Sequence, residues 1–236
     1  MNSSPARGHV REHTEPPETV PLPPGPYELR VAGLRTRWPD GEPDGEIVTL
    51  GDVELVLPPG RRAALVAGGP VGTSALAAVL LGFLDYEGTA TLNDVELRDL
   101  PGEDVRRVIG LCARDTRILH ATVAENVRVA RPDATDDEVT GALRRAGLGL
   151  APGAVIGDRE GTLPPAACQR LALARVVLAE QPVLILEEPT EEPGILTDLL
   201  SAVEDRTLLL LTHGAAVPGA APILRHVDEV VTLSGR

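Results

Sequence analysis

Apolar and polar positions alternate from Tyr27 onwards, first through YELRVAGLRTRW and then through EIVTLGDVELVLPPG. A period of two sends one set of side chains to a buried face and the other to water, so both stretches read as strands of an antiparallel sheet. PDGEPDGE between them is turn chemistry. RRAALVAG is a short apolar run bounded by turn signals, and the segment from about Thr73 to Leu84 has helical length and spacing. Strand, glycine-rich loop and helix in this order are what a phosphate-binding turn needs, because backbone N–H groups at a helix start can face an anion. GTATLNDVELRDL reads as a hairpin and RRVIGLCARD as a buried strand.

Beyond residue 120 the period lengthens. TVAENVRVA reads as a short helix with Thr122 able to cap it, and Thr135 followed by Glu138 is a capping-box pair opening a helix that runs through about Arg145. AACQRLALARVVLAEQP is a helix ending before Pro182, VLILEEPT a strand, GILTDLLSAVED a helix, and RTLLLLTH and DEVVTLSG two further strands. Strands alternating with helices predict a mainly parallel sheet. No internal repeat is evident.

Composition changes this picture at the N-terminus. Residues 1–26 carry seven prolines and few large apolar side chains, a composition that cannot offset the entropy of ordering, and are expected to form a disordered tail or linker ahead of a domain at 27–236. Of 236 residues, 43% are apolar, enough for a substantial core. The formal charge of −13 argues against nucleic acid or an anionic membrane as the main partner. The longest apolar run, near Ala75–Leu84, is too short to cross a bilayer, and MNSSPARGHVREHTE has no apolar segment that would direct secretion, so a cytoplasmic location is expected. Cys112 and Cys168 lack metal-site or disulfide spacing, and Cys112 is expected in the core.

The chemistry concentrates in VAGGPVGTSALAAVLLG, residues 66–82. A phosphate-gripping loop of this kind carries a lysine after its last glycine; here Thr73 stands there, and all 22 basic residues of the chain are arginines. No shifted alignment supplies the missing ammonium. Pro70 also removes one N–H from the cradle. A glycine turn that merely packs strand against helix would read the same way.

LLGFLDYEGTATLNDVELRDL, IGLCARDTRILHATVAENVRVARPDATDDEV and QRLALARVVLAEQPVLILEEPTE together resemble the ATP-binding domain of ABC transporters, above all the ATPase halves of thiol-reductant exporters linked to cytochrome bd assembly. The resemblance covers roughly residues 27–236. It implies an α/β P-loop NTPase of ABC type: a mainly parallel core sheet, an antiparallel β subdomain, and a helical subdomain at about 115–180.

The resemblance lends roles residue by residue. Ala67, Gly72, Thr73 and Ser74 fall on the phosphate loop, so that Gly72, Thr73 and Ser74 are candidate nucleotide contacts and Ser74 a candidate Mg2+ ligand. Trp38 stands where the family sets an aromatic ring against adenine; a local hydrophobic cover is the alternative. Arg114 replaces the glutamine that couples metal to the membrane partner, and its guanidinium could instead meet phosphate or pair with Asp115. Glu187 takes the place of the aspartate that steers Mg2+, one methylene longer. Glu188 matches the catalytic base and His213 the histidine that contacts the γ-phosphate. Where the family has leucine, serine and two glycines opening a helix, this chain has Leu163, Pro164, Pro165 and Ala166, which removes two backbone donors and a hydroxyl.

In this family two ATP-binding domains sandwich nucleotide between the phosphate loop of one and the signature of the other. This chain departs from the pattern in both. The reading is a degenerate nucleotide-binding subunit or domain, exporter-like, with ATP hydrolysis impaired or absent and a scaffold or regulatory role. ATP and Mg2+ binding is expected to be weak or absent. Implied partners are a second ABC-type ATPase domain, as homo- or heterodimer, and a transmembrane transporter subunit, which would set this chain peripherally at the inner face of the membrane; no nucleic acid is implied. An active ATPase exporting a thiol or other small solute, and a free-standing adaptor outside transport, are the alternatives.

Overall fold

The computed structural model describes residues 20–38, 48–49, 53–67, 69–113, 116–157, 163–189, 193–213 and 226–232. Its centre is a five-stranded parallel sheet in the order β13 (Glu229–Thr232), β5 (Arg62–Ala67), β12 (Thr207–His213), β11 (Val183–Glu187), β8 (Ile109–Ala113). The four strands β5, β12, β11 and β8 are short and mostly apolar, the pattern of a sheet covered on both faces, while β13 at the edge is largely exposed. Alternation then sorts the side chains. Ala63, Leu65, Ile185, Leu209 and Leu211 join one hydrophobic cluster, while Ala64, Cys112, Leu184, Leu186, Leu208 and Leu210 join the other.

The first face is covered by helix α1 (Pro70–Leu80) and by an antiparallel sheet in the order β4 (Val53–Leu57), β1 (Leu29–Arg35), β6 (Glu87–Leu92), β7 (Val95–Glu96). Strand β1 alternates as read from sequence through Leu29, Arg30 and Val31, and a register shift after Val31 then moves the buried position to Leu34. The stretch read as a single strand from Glu46 divides: β3 (Val48–Thr49) pairs with β2 (Arg37–Trp38), while β4 pairs with β1. The hairpin at Asn93 and Asp94 is as expected, both turn residues having positive φ.

The second face is covered by α5 (Pro165–Ala179) and α6 (Pro193–Ala202), with α3 (Val123–Arg128) and α4 (Asp136–Arg145) packed on α5 and the short antiparallel pair β9 (Ala121–Thr122) and β10 (Val155–Ile156) at the start of α3. Both predicted caps are complete capping boxes. Thr122 and Thr135 accept the N–H of Glu125 and Glu138, whose carboxylates accept in return from the threonine N–H groups. No helix among the described residues is long and apolar enough to cross a membrane.

Three expectations change. RRVIGLCARD is not strand throughout: α2 (Gly102–Val108) occupies its start, because Glu103 and Asp104 in the first turn and Arg106 and Arg107 in the last suit the helix dipole. Helix α1 starts at Pro70, earlier than Thr73, and ends before Leu84. Gly82, at φ +77°, closes it in a Schellman motif, with Gly82 N–H on Val79 O at 2.9 Å and Phe83 N–H on Ala78 O at 2.8 Å. The expected tail boundary at 26 is also too late. Val20 N–H donates to Asp99 O, Leu22 packs on the core, and Asn93 Nδ2 donates to Pro24 O and Pro26 O at 2.8 and 3.0 Å, so fixed carbonyls order this proline-rich stretch. Residues 1–19 lie outside the described residues.

Candidate functional site

Strand register brings the candidate residues to one edge. Ala67 pairs with His213, Leu211 with Glu187, and Glu187 with Ala113, so four neighbouring strands end within two residues of one another. That is the carboxyl edge of the parallel sheet, where open α/β folds bind ligands. Helix α1 starts just above it, and Thr73 and Ser74 in its first turns face the end of β11. Arg114, which follows β8, lies outside the described residues; of Trp38 the structure describes the backbone, paired with Val48.

The helix start differs from a phosphate cradle. Gly69 is the extended N-cap, Pro70 takes the first helical position with its φ preset, and the Gly72 N–H turns back onto Gly69 O at 3.3 Å. The glycine expected to present its N–H outward therefore spends it inside the helix. No side chain caps α1, and its first turn carries no acidic residue.

Both hydroxyls point at carboxylates. Ser74 Oγ donates to Glu187 Oε1 at 2.6 Å, and Thr73 Oγ1 donates to Glu188 Oε1 at 3.3 Å. The same Glu188 oxygen lies 2.6 Å from His213 Nδ1, an ion pair whenever the imidazole is protonated. Thr73 is fully buried, so this hydroxyl has no solvent to turn towards. Glu188 leaves the strand with φ +45°, a strained conformation for a residue with a Cβ, and its N–H donates to Leu211 O at 2.9 Å. Sequence named all five residues; the direct contacts among them were not legible, because they join separate elements of the fold.

At the other candidate element, Pro164 is the N-cap of α5 and Pro165 its first helical residue. The Ala167 and Cys168 N–H groups both return to Pro164 O, at 2.8 and 3.0 Å. Pro164 and Pro165 are exposed and donate nothing. The helix itself is well made, running to Glu180 in a left-handed C-cap.

Ser74 Oγ and Glu187 are hard oxygen donors and suit Mg2+ in kind. Among the described residues no group of three or more His, Cys, Asp or Glu is placed to hold a metal ion. Cys112 is an ordinary core residue, as expected: fully buried, with desolvation pushing its thiol pKa up to about 12.

Known proteins agree with this architecture. The family model of the ABC transporter matches residues 50–191. The chain is 35% identical over 184 residues to the glutathione/L-cysteine transport system ATP-binding/permease protein CydD of Escherichia coli, covering 72% of this chain and 31% of that protein. It is 33% identical over 212 residues to the mycobactin import ATP-binding/permease protein IrtA of Mycolicibacterium smegmatis, covering 80% and 23%. A solved bacterial Atm1-family ABC exporter with ATP bound superposes with a TM-score of 0.76 at 21% identity, over 94% of this chain and 39% of that one, which speaks for the fold. The chain thus spans a third or less of the length of these two curated relatives.

Proposed function

The chain belongs to the ABC transporter family as an exporter-type ATP-binding domain, and from that membership we propose that it is a degenerate one, with ATP hydrolysis impaired or absent and a scaffold or regulatory role. One observation carries the reading: the groups that would hold a triphosphate are already committed within the chain. The Thr73 and Ser74 hydroxyls face carboxylates, the Gly72 N–H faces Gly69 O, and the α5 start offers two prolines. No lysine exists to offset two adjacent glutamates. Losing a charge-assisted contact of that kind costs about 1.5–3 kcal/mol, roughly ten- to 150-fold in affinity.

Hydrolysis in this family needs charge stabilisation from both partners of a domain pair. A chain weak at its phosphate loop and at its signature degrades both composite sites of any pair it joins. Its retained value is then its surface: a cytoplasmic domain at the membrane's inner face, paired with a second ABC-type domain and a transmembrane part. The relatives' names, which join ATP-binding to permease, support that setting. A thiol such as glutathione or cysteine is the cargo class that the similarity to CydD favours.

A second reading, an active ATPase driving export, is favoured by the 2.6 Å approach of Glu188 and His213, the two candidate catalytic residues. ATP titration read by the fluorescence of Trp38, the sole tryptophan, separates the two. The degenerate reading expects binding weaker than micromolar and a gain of roughly tenfold in Thr73→Lys, the strength of one charge-assisted contact. Submicromolar binding by the unaltered chain contradicts it.

A further inference from the structure

We propose that Val20–Pro26 is an arm that docks on the antiparallel sheet and leaves it as a unit, with Asn93 as its clasp, so that the chain ahead of β1 is rooted beside Asp99. The proposal goes beyond the reading of the nucleotide site and holds whatever that site does.

Pro21, Pro23, Pro24 and Pro26 have no N–H, so most of this segment can join a neighbour only as an acceptor. Asn93 supplies the donor. Its Nδ2 donates to Pro24 O and Pro26 O at 2.8 and 3.0 Å, while its Oδ1 accepts from Glu28 N–H at 2.8 Å and its own N–H donates to Glu28 O at 3.0 Å. One amide thus holds the arm with one end and the approach to β1 with the other. Further out, Leu22 packs on the first hydrophobic cluster and Val20 N–H donates to Asp99 O at 3.1 Å. Val20, Pro21, Pro24, Gly25 and Pro26 are exposed, so the arm is a surface layer. Strand β1 begins beyond it, at Leu29, with its own partners Leu57 and Leu92, and the sheet stands without the arm. Fixed proline φ angles lower the entropy lost on docking, which lets so few contacts suffice.

The root lies at the opposite end of α1 from the candidate site. Asp99 closes the short turn Leu97–Asp99 that leads into α2; Gly102 of α2 adjoins Gly82, and Arg106 Nη1 donates to Leu81 O at 3.2 Å. Both contacts are made where α1 ends, about 10 Å of helix from Thr73. Motion of the residues ahead of Val20 therefore reaches Asp99 and the hairpin at Asn93 before it reaches the carboxyl edge of the parallel sheet.

Amide exchange read by NMR on the full chain tests this, because Val20 and Glu28 report the two ends of the clasp separately. Asn93→Asp keeps an acceptor for Glu28 N–H and a side chain that tolerates positive φ, but has no N–H to donate. Asn93→Gly removes both contacts, suits the φ of +47° and adds no charge. In both variants the Val20 amide should exchange at least tenfold faster relative to the amides of Leu208–Leu211, although its own partner, Asp99, is untouched. Glu28 should keep its protection in Asn93→Asp and lose it in Asn93→Gly. Unchanged Val20 exchange in both variants overturns the proposal, since the contact to Asp99 is then independent of the clasp. Acceleration of Val20 no greater than that of Leu208–Leu211 also overturns it, because the arm is then part of the fold and not a separable unit. Acceleration in Asn93→Asp alone overturns it too, being the work of the added charge.

Discussion

The helices over the second face of the sheet and the carboxyl edge of that sheet lie within one domain, yet they follow opposite rules. Over α3–α5 the helix caps and the buried arginine are matched by well-placed partners. Thr122 and Thr135 complete capping boxes, and Arg175, pushed below its usual pKa by burial, donates from Nε, Nη1 and Nη2 to Asn126 O, Arg117 O and Asn126 Oδ1 at 2.8–3.1 Å. Arg206 likewise closes on Val176 O and Gln181 O. At the sheet edge, by contrast, side chains that suit a ligand have turned on one another, with Glu188 strained at positive φ. Burial and capping preserve a fold whatever the site does, so the scaffold of an ATPase can outlast the chemistry it was built to hold.

Cutting into the scaffold should cost most. Leu210→Ala, in a central strand and fully buried, is expected to destabilise by about 2–5 kcal/mol in urea unfolding. A cost below 1 kcal/mol would mean that the sheet is far less tightly packed than described. Arg175→Met should follow at about 1.5–3 kcal/mol, because it orphans carbonyl oxygens around Asn126, and should raise amide exchange at Leu119, whose N–H donates to Asn126 Oδ1 at 2.9 Å. Thr135→Ala should cost about 1 kcal/mol through loss of the cap.

The smallest effect carries a pH signature. Hydrogen bonds from Thr135, backbone first and hydroxyl second, hold Glu138 below its ordinary value of 4.5; the hydroxyl and then the backbone N–H of Thr122 do the same for Glu125. A carboxyl with a lowered folded pKa adds stability that is present above its unfolded value and lost as pH falls through the folded one. Unfolding midpoints should therefore drop more between pH 5 and pH 3 for the unaltered chain than for Glu125→Gln/Glu138→Gln, and identical pH profiles would show that the boxes do not contribute.

The same contrast explains what could be read in advance. Capping boxes, buried strands and the parallel sheet announce themselves through spacing, since Thr135 and Glu138 must sit three apart and Leu208–Leu211 must be apolar to lie inside. Helix α2 escaped because seven residues are too few for a period to stand out against the apolar strand that follows. At the site, the identities of Thr73, Ser74, Glu187, Glu188 and His213 were legible, but not their mutual contacts, two of which join residues more than 100 positions apart. The order of Val20–Pro26 was hidden for a like reason: its partners, Asp99 and Asn93, lie far along the chain.

Phosphate release from Mg-ATP is the most direct test that the scaffold has outlived its chemistry. It should be measured on purified chain, alone and mixed with a membrane-embedded ABC partner whose own catalytic glutamate has been replaced by glutamine. The account predicts release no faster than that of the matching sample carrying Glu188→Gln. Sustained release that requires both magnesium and Glu188 would contradict it.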